Sequence, residues 1–161
     1  MNTGVIIISV VLVGIWVIPV VILNRTRRKK EHKMLQAMRD FAKEQHSAIT
    51  DYELYGDFSV GIDIAGHFFY YTSESNGITE VKHINLKEIK NCKVVTTRRS
   101  VVKKEGESSA VGRLDLQLIP LDRNEPFITL EFYNSDKNPQ LNGEIQSIEK
   151  WSKVINKQLE H

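Results

Sequence analysis

Five histidines and one cysteine are the side chains of this chain best suited to metal or nucleophilic chemistry: His32, His46, His67, His83, His161 and Cys92. A structural or catalytic zinc site needs three or four ligands, usually two of them at short, regular spacing. No two of these histidines stand at such a spacing from each other or from Cys92. His67 and His83 fall in segments that read as neighbouring strands, and they lack a third ligand. Lys90 and Lys93 flank Cys92 and favour its thiolate. A nucleophile also needs a base and an oxyanion pocket, and neither is legible, so Cys92 reads as a structural, half-buried thiol. The nine glycines are scattered, and none opens a helix in a phosphate-cradling pattern. Asp63 and Asp115 are carboxylates whose relative position the sequence does not give. The residue types point to a non-catalytic protein with no metal and no cofactor.

Charge supplies two further candidates. Arg25, Arg27, Arg28, Lys29 and Lys30 follow the residues Gly4 to Leu23, twenty consecutive positions without a charge. A helix of that length spans about 30 Å, the thickness of a bilayer's hydrocarbon core. The segment has no basic start and no small-residue cleavage site, so it reads as a retained anchor and not as a signal peptide. The basic flank keeps its side cytoplasmic. The expectation is a single-pass protein of the inner or plasma membrane, N-terminus outside, with residues 31–161 in the cytoplasm. The lone cysteine forbids an internal disulfide and suits a reducing compartment. The net charge of +2 is a property of the flank: residues 31–161 hold 17 Lys/Arg against 20 Asp/Glu, leaving −3. That removes the basic face nucleic-acid binding requires. The flanking cations set topology and lie against anionic headgroups generically. The second cluster, Arg98, Arg99, Lys103 and Lys104, stands near Gly106 and offers an anion or partner contact. Its bland reading is a charged edge that discourages sheet-to-sheet pairing.

These side chains need elements to hold them. Residues 24–50 form a basic juxtamembrane segment and an amphipathic helix. Leu35, Met38, Ala42 and Ile49 share one stripe, with Met34 and Phe41 beside it. The stripe is too short for a coiled coil, so the expected surface for it is the chain's own domain. Residues 51–159 then alternate with period two. "FSVGIDI" buries Phe58, Val60, Ile62 and Ile64, and Ala65-Gly66 makes a two-residue turn into "HFFYYT". The four consecutive rings 68–71 would bury two and leave two as a patch for a partner. "SESNG" turns into "ITEVKHI", and "NCKVVTTRRSVV" and "VGRLDLQLIPL" flank a polar tip. "FITLEFY" is the sixth and last strand. A helix closes the chain, capped near Asn138-Pro139 with a start as late as Asn142. Leu141, Ile145, Ile148, Trp151, Ile155 and Leu159 form its apolar stripe, and Trp151 is the largest anchor in it.

The step "INLKEIKNCKVV", the long hairpin to "LDLQLIPL", "PFITLEFYN" and the tryptophan of "IEKWSKVI" together resemble a pleckstrin-homology-like domain over about residues 56–159. Small single-pass bacterial membrane proteins carrying such domains are similar in overall plan. The resemblance implies a mainly β fold, a bent sheet or barrel capped by the C-terminal helix, with Trp151 packed against the barrel. It also implies a scaffold for protein contacts. Family members that bind phosphoinositides carry basic residues around the first hairpin; "GIDIAGHFFYY" has none, so a specific lipid headgroup is not expected. The function expected is therefore a membrane-anchored interaction module for a protein partner. The rival expectations are an accessory subunit of a membrane complex and an anchored enzyme whose site the sequence does not reveal.

Overall fold

The computed structural model of the chain describes residues 25–75, 77–103 and 106–160. The apolar segment 4–23 lies outside the described residues. Among the described residues no helix is long and apolar enough to cross a membrane. Helix α1 covers residues 25–44. The strands that follow are β1 (Asp51–Leu54), β2 (Phe58–Asp63), β3 (Phe68–Ser75), β4 (Ile78–Asn85), β5 (Ile89–Lys103), β6 (Gly106–Pro120) and β7 (Ile128–Asn134). A 3-10 turn, Leu86–Glu88, joins β4 to β5, and α2 (Glu144–Leu159) ends the chain. β1 to β4 make one antiparallel sheet and β5 to β7 a second. The fold is mainly β with a C-terminal helix.

The core lies between the inner faces of the two sheets and α2. Val60, Ile62 and Phe69 from the first sheet meet Leu114, Leu116, Leu118, Leu130 and Phe132 from the second. Trp151 sits fully buried among them, its ring 5.7 Å from that of Phe69. Tyr71 ties the sheets together: its hydroxyl donates to the Glu131 carbonyl at 2.5 Å. Asn156 holds α2 to β5 by a paired bond, accepting from the Cys92 N–H at 3.0 Å and donating to the Cys92 carbonyl at 2.8 Å. A side-chain amide there substitutes for a missing neighbouring strand.

α1 packs on the outer face of the first sheet. Leu35, Met38 and Ala42 close over Tyr70, with Phe41, Ile49 and Leu54 around them. Gly61 is required at this contact: a Cβ there would stand 2.8 Å from Met38 Sδ and 3.1 Å from Ile49 Cγ2. α1 ends in a Schellman motif. His46 takes a left-handed φ of 54°. The Ser47 N–H bonds the Ala42 carbonyl and the His46 N–H bonds the Lys43 carbonyl. The helix thus stops before Ile49, which packs on the same cluster from the following segment.

Four sequence expectations change here. A strand precedes the six anticipated: "DYEL" is short and acid-rich, a composition depleted in strands, yet it pairs with β2 through Asp51↔Ile62 and Leu54↔Ser59. The first hairpin has four loop residues, not two, since Asp63 pairs with Phe68. His67 supplies a left-handed φ of 59°, and Ile64 is left exposed. The Asp63 carboxylate holds this loop, accepting from the Gly66 N–H, the Ala48 N–H and the Ser47 hydroxyl. The last helix starts at Glu144, after Gly143 at φ 101°, and the Glu144 carboxylate accepts from the Asn142 N–H. Finally, no ring patch is left open on 68–71: Phe69 and Tyr71 enter the core and α1 covers Tyr70.

Candidate functional site

Between the two sheets and the start of α1 there is a cleft of about 600 Å3. Its floor is the far inner end of β3 and β4, through Tyr71, Ser73 and Lys82. One wall is β7, through Thr129 and Glu131, and another is the start of α1, through Arg27 and Lys30. Among the described residues β7 has only β6 as a strand neighbour, and Thr129 and Glu131 of β7 line this space. The Glu131 carbonyl points that way, because it accepts from Tyr71 on the opposite sheet.

Several ionisable groups of the cleft hold one another, whereas Glu74 in its lining has no ionic partner among the described residues. Glu131 takes Lys137 at 2.6 Å, Asn134 at 3.1 Å and Arg113 at 3.5 Å. Arg113 also bonds Asp115 at 2.7 Å. Burial pushes the Glu131 carboxyl up, and its bonds from Lys137 and Asn134, with the nearby cations, more than offset this and hold it below the usual range. Arg113 is raised, chiefly by its bond to Asp115. Burial, with the charges of Glu131 and Asp115, drives the Tyr71 hydroxyl well above its ordinary value. None of these three groups is tuned toward neutrality, where a general acid or base works best. Lys82 is half-buried at the floor and has no ionic partner among the described residues. The arrangement can present cations, hydroxyls and a strand edge to a bound segment.

The sequence-predicted cations divide. In the flank, Lys30 bonds Asp57 at 3.0 Å and Arg27 bonds Glu31 at 2.9 Å, both turned toward the domain. Arg25, Arg28 and Lys29 are exposed on the other side of α1. The second cluster is not brought together among the described residues. Arg98 and Arg99 pair with Val111 and Ala110 and so leave the strand on opposite faces. Arg99 reaches Asp136 at 3.6 Å. Lys104 and the side chain of Lys103 lie outside the described residues.

Trp151 has a partner sequence reasoning missed. Glu53 of β1 accepts from Trp151 Nε1 at 2.9 Å, Ser147 Oγ at 2.8 Å and Lys150 Nζ at 2.7 Å. Burial raises the Glu53 carboxyl, but these three donors overcome it and leave it below the ordinary value. An edge strand and the closing helix are thereby locked through one carboxylate. The only available signal was the alternation of Asp51 and Glu53 with Tyr52 and Leu54.

The remaining chemistry candidates are structural. Cys92 is buried, deeper than expected, and burial pushes its thiol up to about 12. His83, read from sequence as a surface strand residue, lies among the rings of Phe68, Tyr70 and Phe41 at 4.5–5.8 Å. Burial depresses its pKa. His67 is a turn residue, and no group of three or more His, Cys, Asp or Glu close enough to hold a metal occurs among the described residues. Arg113, Glu131, Lys137 and Lys82 escaped sequence reading because they come from β6, β7, the turn after it and β4, and no local pattern marks them as neighbours. No protein-family model, curated protein or solved structure matches this chain.

Proposed function

We propose that this chain is a single-pass protein of the cytoplasmic membrane, anchored through residues 4–23, whose cytosolic pleckstrin-homology-like domain binds a protein partner without catalysis. The observation that carries this reading is the cleft between the two sheets and the start of α1. It gathers a strand edge, hydroxyls and two charges without ionic partners among the described residues, Lys82 and Glu74, while Glu131 and Arg113 are already paired with each other. Such a surface favours recognition of an extended polar segment over bond-breaking. The order of four strands, three strands and a helix, with Trp151 buried over the core, supports the pleckstrin-homology-like reading. The twenty uncharged residues and the exposed Arg25, Arg28 and Lys29 support the anchor and its orientation.

The test is capture from a detergent extract by the full chain and by Lys82→Glu/Lys137→Glu. A stoichiometric partner recovered by the first, lost by the second and retained by Arg98→Glu is the expected result. A partner indifferent to the cleft residues, yet lost when the span is scrambled at constant hydrophobicity, would instead make this an accessory subunit bound through its membrane segment.

A further inference from the structure

Among the described residues, six buried side-chain atoms make no hydrogen bond of normal geometry: Ser59 Oγ, Thr72 Oγ1, Glu74 Oε2, Thr79 Oγ1, His83 Nε2 and Tyr70 Oη, the last with the Ser47 hydroxyl beside it. They are not scattered. Ser59 pairs with Thr72, Tyr70 with His83 and Glu74 with Thr79. Alternation therefore puts all six on the outer face of the first sheet, the face under α1.

The register of α1 on the sheet follows from its contacts. Met38 lies over Gly61, and Lys33 reaches the Gly77 carbonyl at 3.3 Å, beyond the ends of β3 and β4. Four residues of helix rise about 6 Å, and two residues of strand about 6.6 Å. One step back from Met38 over Gly61 is therefore Met34 over the Ser59–Thr72 pair. Met34 is fully buried and belongs to neither apolar cluster of the core. The second half of α1 thus rests on an apolar cluster that also holds Tyr70 and His83, and the first half rests on Ser59, Thr72, Glu74 and Thr79. Ordinary interiors satisfy such groups. Here they regain hydrogen bonds when water reaches them, so lifting residues 25–34 recovers hydration that docking forfeits. The ties on this half include the burial of Met34, the Lys30–Asp57 pair at 3.0 Å and the Lys33 bond. The pair is half-exposed, and such pairs contribute little.

We infer that the first half of α1, residues 25–34, is a releasable strap hinged at the Leu35–Met38 cluster, and that its lifting opens one wall of the cleft. Arg27 and Lys30 line that cleft, so release removes two cations and the Asp57 tie from its rim together. On the binding function proposed above, the strap sets access to the site from the membrane side of the domain.

The test is amide hydrogen exchange on the full chain in detergent, wild type against Ser59→Ala/Thr72→Val. In the wild type, amides of 25–34 exchange at least about tenfold faster than those of 35–44, through an opening that leaves both sheets protected. In the double variant the hydroxyls are gone, docking no longer buries them, and exchange of 25–34 slows several-fold. Equal protection along the whole of α1 in the wild type would overturn the strap, and that comparison needs no variant. Faster exchange in the double variant would overturn it too, by showing that the hydroxyls are bonded when docked. No partner is present in this experiment, so its outcome is separate from whether the cleft binds one.

Discussion

The first sheet has two faces, and they are built on different terms. On the inner face Val60, Ile62, Phe69 and Tyr71 meet the second sheet and Trp151. The polar atoms that enter there, Tyr71 Oη and Trp151 Nε1, each have a partner. On the outer face Ser59, Thr72 and, from β4, Thr79 lie buried with hydroxyls that make no hydrogen bond. Both faces are buried, yet burial means different things on them. Apolar area removed from water stabilises by roughly 25 cal/mol per Å2, whereas an unbonded polar group withdrawn from water costs about 1–3 kcal/mol. The inner face defines the domain. The outer face holds an element that can leave.

The largest expected effect strikes the inner face. Trp151→Ala should cost about 3–5 kcal/mol in equilibrium denaturation, the range for large aromatic truncations. A loss under about 1 kcal/mol would mean that the core does not depend on α2. Next, Glu53→Ala strands the indole N–H and Ser147, at a cost of about 2–3 kcal/mol for buried donors left without an acceptor. The pH dependence has a defined sign. A carboxyl held below its ordinary value stabilises the fold at neutral pH. That contribution fades as pH falls from about 4.3 through the lower folded value. Glu53→Gln should flatten this acid limb in a stability-versus-pH series; an unchanged limb would remove Glu53 from it.

Smaller effects belong to the outer face. Gly61→Val should cost about 1–3 kcal/mol by overpacking against Met38 and Ile49. Its signature is loss of exchange protection in residues 35–44 while the strands stay protected. If protection fell in both sheets instead, α1 would be an integral part of the core. Smallest of all is a chemical reading of the core between the sheets: Cys92 of β5, buried and with its thiol pushed up to about 12, should resist disulfide reagents at mildly alkaline pH until the domain unfolds.

The apolar alternation of "FSVGIDI", "VGRLDLQLIPL" and "FITLEFY" located three strands, and the stripe through Trp151 located the closing helix. These signals are strong because burial on one face imposes its period directly on the residue types. β1 was illegible because its stabilisation comes from Glu53 meeting three donors in the distant closing helix, and no local pattern encodes that. The loop at Asp63 was misjudged because a carboxylate bonded to Ser47, Ala48 and Gly66 can hold a longer turn than Ala65-Gly66 suggests. In "FITLEFY" the alternation itself breaks: Leu114 faces Tyr133 while Asp115 faces Glu131, so Phe132 is an extra residue and both Phe132 and Tyr133 are buried. The cleft is lined from separate elements, and its charges carry no mark of convergence. The stripe of α1 was legible, but the hydroxyl row beneath its first half reads in sequence as ordinary solvent-facing strand.

One measurement separates the two faces in a single molecule: urea-dependent thiol labelling of the full chain carrying Met34→Cys alongside the native Cys92. Both positions are buried in the folded state. A local lift of residues 25–34 exposes far less surface than unfolding of the domain, so the introduced thiol should label faster and with a much shallower urea dependence than Cys92, which labels slowly and with the steep dependence of global unfolding. If the two thiols label with the same urea dependence, the outer face opens only when the whole domain does, and the contrast between the faces fails.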